Sequence, residues 1–84
     1  MDALHDLPNI GTVVERKLRQ AGVETPVQLA EMGSREAFAR LKLLDPGACL
    51  HVLYALEGAI RGIRKNHLSD ETKRELKDFF QSVK

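Results

Sequence analysis

The sequence predicts an all-α fold, a compact bundle of about five short helices, and two observations carry that reading. Apolar residues recur at three- and four-residue steps in every segment, with no run of strict alternation. Start and stop signals, chiefly Ser or Thr before the periodic runs and Gly or Pro after them, cut the chain into short pieces. The 84 residues, 43% hydrophobic and 30% charged, fit one domain spanning residues 1–84, without internal repeat, low-complexity tract or long linker.

A turn around Ala3 to Asp6 leads into a tight hairpin, Leu7-Pro8-Asn9-Ile10-Gly11. Thr12 is the expected cap of a first helix that stops at Gly22, with Ile10 and Leu18 turned into the core. Thr25-Pro26-Val27-Gln28 has the form of a capping box: the threonine hydroxyl reaches the Gln28 amide, and Pro26 sits where its missing N–H costs nothing. That second helix is expected to run to about Met32 and stop at Gly33. Ser34 is the next expected cap, opening a helix through Leu44 with an inner stripe of Ala37, Phe38, Leu41 and either Leu43 or Leu44. Asp45-Pro46-Gly47 ends it and starts the most apolar helix, about Ala48 to Ile63. Apolar residues cover most of that helix's circumference, which makes it the expected central element, with Cys49 a buried thiol. Gly58 and Gly62, four apart, are expected to permit a close helix crossing. Ser69-Asp70-Glu71 opens the last helix with a cap and acids suited to its positive end. Its packing face is Leu76, Phe79 or Phe80, and Val83, while Lys73, Glu75, Lys77 and Asp78 read as a solvated face.

Composition excludes several function classes. Thirteen basic against twelve acidic residues give a net charge of +1, far from the balance of a protein held to DNA mainly by counterion release. The charge is unevenly placed: residues 1–33 sum to −2, residues 34–68 to +3, and residues 69–84 to zero. A single cysteine excludes an internal disulfide and a cysteine-based zinc site. His5, His51 and His67 lie in three different elements without metal-ligand spacing, so no metal is expected. Cys49 and His51, two apart on a helix, point to different faces, and no phosphate-binding loop or dinucleotide fingerprint is present. The expectation is a non-enzyme with no cofactor. No apolar run of ~18 residues exists and no secretory pattern opens the chain, so the expected address is the cytoplasm, with no membrane partner.

Two features bear on binding. The turn before the first helix leaves the amides of Gly11, Thr12 and Val13 without helical partners, free to face a phosphate oxygen, with Arg16, Lys17 and Arg19 supplying charge and Asn9 at the turn. Asparagine tolerates the left-handed conformation such a turn needs. Arg61, Arg64 and Lys65, with His67 beyond, form the densest positive cluster, which Arg35, Arg40 and Lys42 extend if the two helices lie side by side. Each feature also has a purely structural reading: the hairpin sets the angle between two helices, and cations favour a helix C-terminus.

The hairpin resembles the Leu-Pro-Gly-Ile-Gly turn of helix-hairpin-helix modules, Leu7, Pro8, Ile10, Gly11, Leu18, Ala21, Gly22 and Val23 matching while Asn9 stands at the first glycine. On a longer scale, Leu7-Pro8-Asn9-Ile10-Gly11, Ala21-Gly22-Val23-Glu24-Thr25-Pro26, Leu44-Asp45-Pro46-Gly47 and Leu53-Tyr54-Ala55-Leu56-Glu57-Gly58-Ala59 resemble the C-terminal domain of the TfoX/Sxy family of bacterial competence regulators. The likeness runs from about Leu4 to Phe80, and Asn9 is then the family's own form of the turn. It implies an all-helical fold related to helix-hairpin-helix modules and a link to the regulation of DNA uptake and transformation genes. It implies no catalytic or ligand residues. Full-length members carry a separate N-terminal domain ahead of this one, so a solitary copy is expected to differ in role. Two functions follow as expectations. One is a binding module in competence control that touches DNA phosphate weakly and without base reading, or contacts another regulatory protein. The other is an interaction or homodimerisation domain, motivated by the apolar helix Cys49 to Ile63.

Overall fold

Leu4 and Leu7 begin the burial of the chain through a single 3₁₀ turn, Leu4–Asp6, whose Asp6 carboxylate accepts the Ala3 amide at 3.0 Å. The computed structural model describes residues 3–83, and among these the fold is all-α: α1 (Thr12–Gln20), α2 (Pro26–Met32), α3 (Ser34–Leu44), α4 (Leu50–Arg61), a second 3₁₀ turn at Lys65–His67, and α5 (Asp70–Ser82). No strand occurs among the described residues. As the all-round apolar sequence requires, α4 is central: it packs on α2, α3, α5 and the second 3₁₀ turn, while α1 packs on α3 and the opening turn. Leu4, Leu18, Val23, Leu29, Phe38, Leu41, Leu53, Leu56 and Leu76 are the large side chains sealed in this core. Phe38 and Phe80 meet with ring centroids 5.9 Å apart, and the Lys42 ammonium closes that edge 5.5 Å from the Phe80 ring.

Local signals account for most helix ends. The Thr25 hydroxyl accepts the Gln28 amide at 3.1 Å and the Gln28 side chain returns to the Thr25 amide at 3.2 Å, the reciprocal box the sequence predicts. Ser69 caps α5 by accepting the Thr72 amide at 3.1 Å. α1 ends with the Val23 amide on the Leu18 carbonyl at 2.8 Å and the Gly22 amide on Arg19 at 3.1 Å, and Leu18 and Val23 are both fully buried across that cap.

Six expectations need correction. Thr12 does not cap α1; Gly11 holds that position with extended backbone and Thr12 is already helical. Ser34 likewise lies inside α3, because Gly33 supplies the cap position, and its hydroxyl instead crosses to α4. α4 is shorter than expected because Ala48 is still in the Asp45 turn, its amide bonded to the Asp45 carbonyl at 2.9 Å. Cys49 therefore precedes the helix and is exposed, not buried. Leu43 and Leu44 do not belong to the inner stripe of α3: they are 84% and 53% exposed.

The sixth correction concerns the glycines of α4. Gly62 lies beyond the helix in the left-handed region (φ 76°), where its amide bonds to Ala59 and the Ile63 amide bonds back to Gly58, the paired bonds that reverse a chain at a helix end. Gly58 does permit a close approach, but of the hairpin and not of a crossing helix. A β-carbon at position 58 would stand 2.6 Å from Asn9 Nδ2 and 2.8 Å from the Ile63 carbonyl oxygen. Gly58→Ala is therefore expected to lose about 1–3 kcal/mol in urea unfolding even though alanine is the better helix former, because the hairpin must be displaced. A variant as stable as the parent would contradict that packing.

The α3–α4 seam holds one polar network. Ser34, 3% exposed, donates its hydroxyl to Glu57 at 2.5 Å, and Arg61 Nε donates to the other Glu57 oxygen at 2.5 Å. Burial alone would raise the Glu57 pKa, but the Ser34 and Arg61 hydrogen bonds and the Arg61 charge outweigh it and leave the carboxyl below its ordinary 4.5. Stability from this charged form is then present above the ordinary value and lost as pH falls through the lower folded value. Glu57→Gln is expected to lower the unfolding free energy measured in urea at neutral pH by about 1 kcal/mol and to flatten its fall under acid. An unchanged acid profile would show that the network contributes nothing.

Candidate nucleic-acid interface

The hairpin is built around an asparagine in left-handed backbone. Asn9 (φ 70°) is the one described non-glycine residue with positive φ, and the Ile10 amide closes the turn on the Leu7 carbonyl at 3.3 Å. Its carboxamide points inward: Nδ2 donates to the Ile63 carbonyl at 2.9 Å, and Oδ1 accepts the Lys65 amide at 2.9 Å. Asn9 is thus no phosphate ligand. It clamps the hairpin to the segment just past α4, and Gly58 makes room for it.

Gly11, Thr12 and Val13 are exposed, the first helical bond runs from the Glu15 amide to Gly11 at 3.0 Å, and the three amides find no acceptor among the described residues. The cations divide. Lys17 is committed to Asp45 at 2.6 Å and Arg19 to Glu15 at 3.8 Å, whereas Arg16 is exposed and in no ion pair among the described residues. The second cluster splits as well: Arg61 is bound to Glu57 on the α3–α4 seam, while Arg64 and Lys65 are exposed, unpaired among the described residues, and adjacent to the hairpin through the Asn9 clamp. Arg40 pairs with Glu36 at 2.9 Å, and Lys42 donates to the Pro46 carbonyl at 3.0 Å, so neither extends that patch.

A depression of about 340 Å³ marks the junction, lined by Asp6, Leu7, Pro8, Asn9, Gly62 and Arg64. Acids temper it. Asp6 stands on its wall, and behind it Glu15 accepts the His5 amide at 3.0 Å and the His5 ring at 3.0 Å. Burial pushes the Glu15 carboxyl up, but the His5 bonds and the Arg19 charge together hold it below its ordinary value. At Asp45 the Lys17 hydrogen bond is the dominant influence, and it lowers that carboxyl against a smaller opposing effect of burial. Among the described residues no three His, Cys, Asp or Glu side chains converge as a metal site, and no helix is long and apolar enough to cross a membrane.

Sequence reasoning missed the clamp, since its partners are 54 and 56 residues from Asn9 and carry no signature of their own, being backbone groups. The only local trace is an asparagine at a turn position that requires positive φ.

Solved structures share this fold. A crystal structure of an uncharacterized protein from Listeria monocytogenes, in a triclinic form, superposes with a TM-score of 0.95 at 51% identity, covering 96% of this chain and 92% of that one. A tetragonal form of a protein of unknown function from Listeria monocytogenes gives 0.93 at 50% identity, covering 95% of this chain and 99% of that one. No curated protein matches the chain. The sequence matches the TfoX C-terminal domain family over residues 1–80, nearly the whole chain, and the protein belongs to that family.

Proposed function

We propose that this protein is a non-enzymatic binding module whose hairpin edge touches nucleic-acid phosphate without reading bases. The observation that carries the reading is the 2.9 Å bond from the Lys65 amide to Asn9, which joins the unpaired Arg64 and Lys65 to the free amides of Gly11, Thr12 and Val13. Backbone donors at a helix start position a phosphate oxygen, and the guanidiniums of Arg16 and Arg64 with the Lys65 ammonium supply the charge. Family membership relates the chain to competence regulators, in keeping with work on or near DNA. The near-neutral net charge makes the contact weak and local, since no large positive field adds to it.

A second reading has its own support. Leu43 and Leu44 are exposed at the end of α3, beside an open apolar depression lined by Ala39, Leu43, Pro46 and Val83, a surface suited to a second copy or another regulatory protein. The helix first expected to offer such a surface, α4, is instead covered on several sides. Sedimentation of the protein as a monomer at high concentration would dismiss self-association.

Duplex binding decides between them. About three phosphate contacts give a slope of roughly −3 in log affinity against log salt, and each of Arg16→Gln and Arg64→Gln is expected to reduce that slope by about 1. Arg61→Gln, whose parent side chain is bound to Glu57, is expected to leave it unchanged. Absence of duplex affinity at low ionic strength, or equal losses at Arg61 and Arg64, would overturn the hairpin reading.

A further inference from the structure

The start of α4, the second 3₁₀ turn and the first turns of α5 together enclose a small hollow of about 160 Å³, lined by His51, Tyr54, Lys65, Asn66 and Lys73. Each of these side chains carries a hydrogen-bond donor, and no carboxylate lines the hollow. Its walls are fixed. The Tyr54 hydroxyl donates to the Lys73 carbonyl at 3.3 Å, and the His51 ring stands edge-on to Tyr54 with centroids 6.1 Å apart at 83°. The backbone of Lys65 is held by Asn9. His51 also lies in the first turn of α4, at the positive end of that helix.

Isolated surface lysines are ordinarily solvated and nothing more. Here two lysines and a histidine from three elements converge on one concavity, in a chain whose Lys17, Arg19, Arg40 and Arg61 are all matched to carboxylates. His51, Lys65 and Lys73 form no ion pair among the described residues. His51, Lys65, Asn66 and Lys73 bring donors to a largely apolar concavity that holds no internal counter-ion, an arrangement that favours an anion. At about 160 Å³ the hollow is smaller than the pockets of about 300–1,000 Å³ that take drug-sized ligands, a scale suited to one compact anion.

We propose that this hollow binds a phosphate group, with Lys65 and Lys73 supplying charge, the His51 ring and the Asn66 carboxamide donating hydrogen bonds, and the Tyr54 ring forming the wall behind it. Two sources share that chemistry, free inorganic phosphate and the terminal phosphate of a nucleic-acid strand. The inference shares Lys65 with the hairpin reading but is tested apart from it, because His51 and Lys73 belong to neither the hairpin nor the segment clamped to it.

Titration of the isotope-labelled protein with inorganic phosphate at constant ionic strength and pH, followed by amide NMR, tests it. Saturable shifts are expected at His51, Tyr54, Asn66 and Lys73. The double variant His51→Ala, Lys73→Ala is expected to weaken the apparent Kd about tenfold or more. It keeps the fold, since the His51 side chain is exposed and Tyr54 bonds the backbone of Lys73, and its amide spectrum checks that directly. Arg16→Gln with Arg64→Gln is expected to leave these shifts unchanged, so that loss of the hairpin reading and loss of this one are told apart. A short oligonucleotide with and without a 5′-phosphate separates the sources: a preference for the phosphorylated strand that disappears in the double variant assigns the strand end, and no preference assigns free phosphate. Shifts that grow linearly without saturation, or an unchanged Kd in the double variant, would overturn the proposal.

Discussion

One carboxamide holds two distant parts of this molecule together. Asn9 reads both polarities of the backbone beyond α4, donating to the Ile63 carbonyl and accepting from the Lys65 amide, and it fits only because residue 58 carries no side chain. Both bonds lie at a place where the chain has just reversed through Gly62 and where peptide groups would otherwise need water. The left-handed backbone of Asn9 has a cost, and these two bonds and the packing against Gly58 offset it. The hairpin is therefore a rigid lip on the end of the central helix. With its side-chain polarity spent inward, the amides at the start of α1 are what the lip presents to solvent.

Charge follows the same logic of local pairing. A chain with nearly equal acids and bases has no strong overall field, so whatever binding it does depends on which cations are left without an acid beside them. Asp45 takes Lys17, and acids one turn earlier on the same helix take Arg19, Arg40 and Arg61. Among the described cations without an ion pair, Arg16, Arg64 and Lys65 lie around the lip and Lys73 lies with His51 and Tyr54 in the neighbouring hollow. Lys65 lies between the two, its backbone in the clamp and its side chain at the hollow.

Much of the fold was legible because it is written in local chemistry. The capping box at Thr25, the cap at Ser69, the stop at Gly22 and the central place of α4 each depend on residues within one or two turns of one another. The errors arose where a distant partner decided. Ser34 has the residue type of a cap, but Glu57 on another helix takes its hydroxyl. Leu43 continues the apolar period of α3, but no neighbouring element covers that end of the helix. Gly58 and Gly62 share a spacing yet serve different purposes, one a contact and the other a reversal. For the candidate site the sequence singled out the amides of Gly11, Thr12 and Val13 and grouped Arg61 with Arg64 and Lys65. Their pairing with Glu57 or with nothing is a tertiary matter that spacing along a helix does not encode.

Native-state amide hydrogen exchange tests the clamp and its consequence together. The account predicts that the Lys65 amide, although outside the α-helices, exchanges as slowly as amides of the core, while those of Gly11, Thr12 and Val13 exchange at the rate of open chain. A fast Lys65 amide, or protected amides at Gly11 to Val13, would contradict it.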